Sequence, residues 1–306
     1  MTYGTLEGTG FEVLDPRFAD CFFPHERIER LWSGGRWCEG PAWFAAHRTL
    51  VWSDIPNNRM MRLDEVNGVA GLFRAPSNHS NGNTVDREGR LVTCEHLTRR
   101  VTRTEHDGRI TVLAERWNGK RLNSPNDVVV ASDGAVWFTD PSYGILSDYE
   151  GACAESEIGA CFVFRIDPAS GEVQKVADDF VKPNGLAFSA DESALYIADT
   201  GASHQPDAPR HIRRFEVNAD RRTLGRSRVF AECTAGLFDG FRFDRDGRLW
   251  TSAADGVHVY SVEGTLIGKV RVPEAVANLC FGGVRRNRLF ICATSSVYAC
   301  TLTVNG

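Results

Sequence analysis

The chain has 306 residues, 42% of them hydrophobic, with a formal net charge of -5 and nine cysteines. A slightly acidic chain of this kind carries no electrostatic footprint for nucleic acid and no polybasic patch for an anionic membrane. The first thirty residues lack a basic start followed by an apolar core, and no apolar run reaches membrane-spanning length, so the expected compartment is the cytoplasm.

Taken in chain order, residues 1–27 read as an irregular N-terminal cap, and Glu29-Arg-Leu-Trp-Ser33 reads as a strand preceding everything that repeats. Six segments then open on a carboxylate or carboxamide: Glu39-Gly-Pro-Ala-Trp, Asn81-Gly-Asn-Thr-Val, Asn126-Asp-Val-Val-Val, Asn184-Gly-Leu-Ala-Phe, Asp239-Gly-Phe-Arg-Phe and Asn278-Leu-Cys-Phe. Their lead residues lie 42, 45, 58, 55 and 39 positions apart, a period that suits a four-stranded unit rather than a helical repeat. Each is followed by a polar or glycine-containing turn and a second apolar strand, from Leu50-Val-Trp-Ser-Asp54 through Leu91-Val-Thr-Cys-Glu95, Val136-Trp-Phe-Thr-Asp140 and Leu195-Tyr-Ile-Ala-Asp199 to Leu249-Trp-Thr-Ser-Ala253 and Leu289-Phe-Ile-Cys-Ala293. Alternating outer runs such as His211-Ile-Arg-Arg-Phe-Glu-Val complete the units. No convincing amphipathic helix is present. The pattern predicts an all-β six-bladed β-propeller of four-stranded antiparallel blades, one domain over residues 1–306. The sixth unit lacks a fourth strand after Ser296–Val304, so the N-terminal strand at Glu29–Ser33 is expected to complete the last blade.

If first strands leave one face of the disc and second strands return to it, the lead residues and the second-strand ends share a mouth. Glu39, Asn81, Asn126, Asn184, Asp239 and Asn278 would gather near the axis, with Asp54, Glu95, His96, Asp140 and Asp199 behind them. Oxygen donors without a cysteine or histidine cluster suit a hard divalent cation, calcium first, then magnesium or manganese. Asn81 and Asn278 are alternatively strand caps, Asp199, Asp54 and Asp140 alternatively loop-backbone acceptors, and His96 alternatively a structural histidine. The long segments Pro141–Ala160 and Thr200–Arg210 emerge at the same mouth as expected lids. Most cysteines read as buried hydrophobes, whereas Cys153 and Cys161 bracket a polar loop and leave a local disulfide open.

Glu39-Gly-Pro-Ala-Trp, Arg121-Leu-Asn-Ser-Pro-Asn126-Asp-Val, Lys182-Pro-Asn184-Gly-Leu-Ala-Phe-Ser and Asp239-Gly resemble the signatures of the SMP-30/gluconolactonase/luciferin-regenerating-enzyme family of six-bladed propellers. Ser80-Asn81-Gly-Asn-Thr-Val-Asp86, Leu91-Val-Thr-Cys-Glu95-His96 and Phe138-Thr-Asp140-Pro-Ser-Tyr143-Gly also resemble its bacterial gluconolactonase branch. The resemblance implies that Glu39, Asn126, Asn184 and Asp239 hold one catalytic divalent cation, with zinc a further option beside the three above. It implies hydrolysis of a sugar lactone, with D-glucono-1,5-lactone leading. Asp239 would be the general base, or in a rival mechanism the nucleophile. Animal members carry an arginine two positions before the third-blade ligand, where this chain has Ser124-Pro125, so their substrate contacts do not transfer. Asn81, Glu95, His96, Arg121, Asn123, Asp140 and Tyr143 are the expected substrate contacts. The alternatives are a propeller hydrolase of aryl-ester or organophosphate bonds and a non-enzymatic calcium-binding platform. A monomer or small homo-oligomer is expected, with no nucleic-acid or membrane partner.

Overall fold

The computed structural model describes residues 6–306. Six four-stranded antiparallel sheets form a ring. Their innermost strands are Cys38–Phe44, Ser80–Val85, Val128–Val130, Pro183–Phe188, Phe241–Phe243 and Val276–Gly282, each hydrogen-bonded to the apolar strand that follows it. Blade numbers below follow this order. The predicted closure is present: Glu29–Ser33 pairs antiparallel with Ser296–Thr301, Glu29 opposite Ala299 and Ser33 opposite Ser296, so the N-terminal side of the chain completes blade six.

The near-continuous apolarity of the second strands follows from this architecture, because a strand deep in a blade is covered on both faces by neighbouring blades. Six hydrophobic clusters fill the gaps around the ring. Leu50, Trp52, Phe290 and Cys292 pack between blades six and one, and Val92, Cys94, Val128 and Phe138 pack between blades two and three. Trp137, Leu186, Leu195 and Ile197 join blades three and four. All nine cysteines are free thiols, Cys153 and Cys161 included.

Of the segment expected as an irregular cap, residues 1–5 lie outside the described residues and the rest is more ordered than that. Gly10–Val13 adds a fifth strand to blade five along Leu266–Arg271, and a helical turn follows at Pro16–Ala19, its first N–H groups capped by Asp15. Phe18 of this turn is fully buried against Trp250, in space left by Gly268, where any side chain would collide with the Phe18 ring. The segment covers a sheet edge that would otherwise present unpaired backbone.

Glycines after the lead residues let the inner strands approach one another. The Gly82 N–H donates to the Asn126 carbonyl at 2.7 Å, and a Cβ on Gly82 would lie 2.6 Å from the Asp127 Cα. The two nearest atoms are main chain of Asn126 and Asp127, which cannot step aside as a flexible side chain would. Gly82→Ala is therefore expected to destabilise the fold by about 1–3 kcal/mol, read as a lower midpoint in urea unfolding at unchanged slope. An unaltered midpoint would show that blades two and three separate freely here.

Candidate active site and metal centre

The lead residues form a closed ring of contacts around the axis. Asn83 Nδ2 of blade two donates to the Gly40 carbonyl of blade one at 2.9 Å, and Gly82 N–H bonds blade two to blade three. The inner strands of blades three and four, Val128–Val130 and Pro183–Phe188, lie in contact. Gly185 N–H donates to the Asp239 carbonyl at 3.1 Å, and Gly240 N–H to the Ala277 carbonyl at 2.7 Å. The Asn278 Nδ2 donates to Glu39 Oε2 at 3.0 Å, joining blade six to blade one. Glu39, Asn81, Asn126, Asn184 and Asn278 are buried, whereas Asp239 is half-buried.

The charges on this ring are mutually unfavourable. Burial pushes Glu39 up to about 8, helped by the negative charge of Asp127 and opposed by the Asn278 amide and the Gly40 N–H. Asp239 is raised well above the usual carboxylate range by desolvation, then by Glu39, Asp127 and Glu150. Asp127 is also raised by burial, with the Arg242 guanidinium 3.8 Å from its Oδ2 as the main opposing influence. Asn81 Oδ1, Asn184 Oδ1 and Asp127 Oδ2 are buried and have no hydrogen-bond partner. The unpaired Asn184 oxygen, beside carboxyls that resist ionisation, is what a divalent cation would satisfy, so the donor chemistry fits one. Among the described residues no three His, Cys, Asp or Glu side chains group as a metal site by themselves, so carboxamides would have to complete the set.

The carboxylates at the second-strand ends lie beside the lead residues, since Cys38 faces Asp54, Ser80 faces Glu95 and Pro183 faces Asp199 across their ladders. Their side chains turn elsewhere. Asp140 accepts the Asn123 and Ser124 N–H groups at 2.8 and 2.9 Å, and Asp199 accepts those of Val181, Lys182 and Gly201 at 2.9–3.0 Å. Asp54 accepts the Arg36 N–H, the Asn57 amide and the Arg59 guanidinium. Each of these acids clasps the loop leading into the inner strand of its own blade. Glu95 is likewise engaged by Asn78, Thr98, Arg100 and Thr102.

Several of the expected substrate contacts are engaged within the protein itself. Glu95 and Asp140 hold loops, and burial raises Asp140 to about 7 despite its two N–H partners. The Asn123 amide donates to the Asp140 and Ala160 carbonyls while its oxygen accepts from Ser156, leaving it no free N–H. The Arg121 guanidinium bonds the Thr98 carbonyl, and its N–H bonds Glu157. Both ring nitrogens of His96 are occupied, Nε2 by the Asn81 amide at 3.1 Å and Nδ1 by the Glu150 carbonyl at 3.0 Å.

The two long loops meet over the ring. Tyr143 Oη lies 2.7 Å from Thr200 Oγ1 and 2.8 Å from Ser203 Oγ, while Asn184 Nδ2 donates to the same Thr200 hydroxyl at 3.3 Å. Lys182, which sequence reasoning left aside, bonds Ser142 Oγ and lies 5.2 Å from the Tyr143 ring centroid. Asp127 is the larger omission. Its signal was its place in Asn126-Asp127, one residue from an expected ligand.

The family model described as SMP-30/gluconolactonase/LRE-like region matches residues 37–295. A gluconolactonase from Zymomonas mobilis is 32% identical over 293 residues, covering 88% of this chain and 80% of the relative. A pentonolactonase from Haloferax volcanii is 27% identical, covering 83% and 80% respectively. A solved gluconolactonase structure from Xanthomonas campestris superposes with a TM-score of 0.89 at 37% identity, covering 97% of this chain and 95% of that one.

Proposed function

The chain belongs to the SMP-30/gluconolactonase/LRE-like family, and from that membership we propose that it hydrolyses D-glucono-1,5-lactone to gluconate with one divalent cation, calcium first, held on the propeller axis. Its class is that of a lactone hydrolase acting on sugar lactones. The unpaired Asn184 oxygen, together with Glu39 and Asp239, whose carboxyls resist ionisation, carries the metal part of the proposal.

Glu39, Asn126, Asn184 and Asp239 would hold the cation, which when bound supplies Lewis-acid polarisation of a carbonyl group. Asn278 fixes Glu39 by donating to Oε2, and Thr200 fixes the Asn184 amide with its oxygen free. Asp239 is the least buried of the ring carboxylates. It would take the proton of the attacking water as a new C–O bond forms at the lactone carbonyl. The ring C–O bond then breaks, its oxygen is protonated, and the acid product ionises. Of the expected substrate contacts, Asn81 keeps a free acceptor oxygen and Tyr143 stands where the two loops close over the ring.

Acid release from D-glucono-1,5-lactone, followed with a pH indicator above the spontaneous rate, tests the proposal on chelator-stripped protein. Turnover restored by calcium, magnesium, manganese or zinc supports it and ranks the cations. Absence of turnover with every metal, on this lactone and on pentonolactones, would overturn it.

A further inference from the structure

We propose that His96 is a positioning residue: it fixes the Asn81 carboxamide so that its oxygen accepts a hydrogen bond from a ring hydroxyl of the substrate, and the 141–160 loop holds His96 in the tautomer that does so. The substrate part rests on the lactonase reading above.

The Glu150 carbonyl can only accept, so the proton between it and His96 belongs to Nδ1. The ring is fully buried, and its nearest carboxylate oxygen, Glu150 Oε2, is 3.9 Å from Nδ1. Burial also lowers its pKa to about 4, consistent with a neutral imidazole. A neutral ring protonated at Nδ1 leaves Nε2 as an acceptor, and the group 3.1 Å from Nε2 must then be the Asn81 N–H.

Asn81 has little other freedom. Its carbonyl accepts from Ser53 Oγ at 2.7 Å and from Asn83 Nδ2 at 2.9 Å, which pins the main chain. With Nδ2 held by His96, Oδ1 is left buried without a protein partner. A lactone's carbonyl and ring oxygens accept only, so the donor that satisfies Oδ1 is a hydroxyl. The pocket therefore discriminates in favour of polyhydroxylated lactones and against an analogue lacking that one hydroxyl.

The loop is built against this pair. A Cβ on Gly144 would lie 2.5 Å from the His96 Cβ and 2.6 Å from its Cγ, and Gly144 N–H donates to Ser124 Oγ at 2.9 Å. The loop thus presses on the ring while Glu150 supplies the acceptor that selects the tautomer.

Two measurements on the full chain test this. Nitrogen-15 NMR of the metal-free protein should show His96, assigned through its own backbone, protonated at Nδ1 and bare at Nε2; a proton on Nε2 would overturn the proposal. Steady-state kinetics on mono-deoxy gluconolactones should show one analogue disfavoured by about tenfold or more in kcat/KM. His96→Leu should erase that preference, and so should His96→Asn, whose amide reproduces only the Nδ1 position. His96→Gln, whose carboxamide oxygen can occupy the Nε2 position, should keep it. Preference retained in His96→Leu, or lost equally in all three, would overturn the positioning role. If no lactone is turned over at all, the lactonase reading fails while the NMR result still decides the orientation of Asn81.

Discussion

Asp239→Asn is expected to lower lactone turnover by about three orders of magnitude while the propeller stays folded. Asparagine preserves the shape of the side chain and can leave the Asp239 main-chain bonds intact, the N–H to Ser252 Oγ at 2.7 Å and the carbonyl to Gly185 N–H at 3.1 Å. What it removes is the half-buried carboxylate that would both neutralise the cation and take the proton from water. The same change relieves a like-charge clash, because Glu39, Asp127 and Glu150 all raise the Asp239 pKa. Metal-free Asp239→Asn should therefore unfold at a temperature equal to or above that of the parent near pH 8, although it turns over almost no lactone. Steady-state rates with saturating metal, alongside thermal melts with chelator, separate the two effects. Near-normal turnover would remove Asp239 from the mechanism. A collapse in stability without metal would show that its carboxylate is a structural group instead.

The propeller was legible because two signals coincide: a recurring lead residue every 39 to 58 positions, and second strands apolar enough to be covered on both faces. The closing strand could be inferred by counting, since blade six ran out of chain. Gly10–Val13 could not. Four residues with only partial burial carry almost no periodicity, and the partner edge at Gly268 lies far along the sequence. The small hairpin pairing Arg116–Trp117 with Lys120–Arg121 turns on Asn118-Gly119, both at positive φ, a local turn signal that the longer repeat masked.

Site residues divided along a different line. Sequence placed the second-strand acids at the correct end of the disc, but position along a strand does not say which way a carboxylate turns. At Asp54, Asp140 and Asp199 the backbone N–H groups of the incoming loop captured it. Asp127 was missed for a related reason. The inner strand of blade three begins only at Val128, so Asn126 and Asp127 precede it and strand alternation does not send them to opposite faces.

The stabilisation conferred by the cation should grow as pH rises from about 5.5 to 8. Glu39 has a folded pKa raised to about 8, and Asp127 and Asp239 are raised too, so the folded metal-free protein keeps protons that the unfolded chain releases near the ordinary carboxylate range. A raised carboxyl pKa means that the unfolded state binds fewer protons across this window, so metal-free stability falls with increasing pH. A cation held by Glu39 and Asp239 displaces those protons, which makes its binding tighter at the alkaline end by the same linkage. The expected result is a melting temperature that drops on going from pH 5.5 to 8 in chelator and drops much less in saturating calcium, the unfolding free energies of the two series diverging by on the order of a few kcal/mol. Asp140, raised to about 7 and engaged by backbone N–H groups, adds a slope of its own, but that slope is common to both series and cancels in the gap. A gap that is constant with pH would mean that the cation does not bind at the ring carboxylates. A gap that widens in the parent and flattens in Asp239→Asn would tie the effect to the same carboxylate that the turnover experiment interrogates.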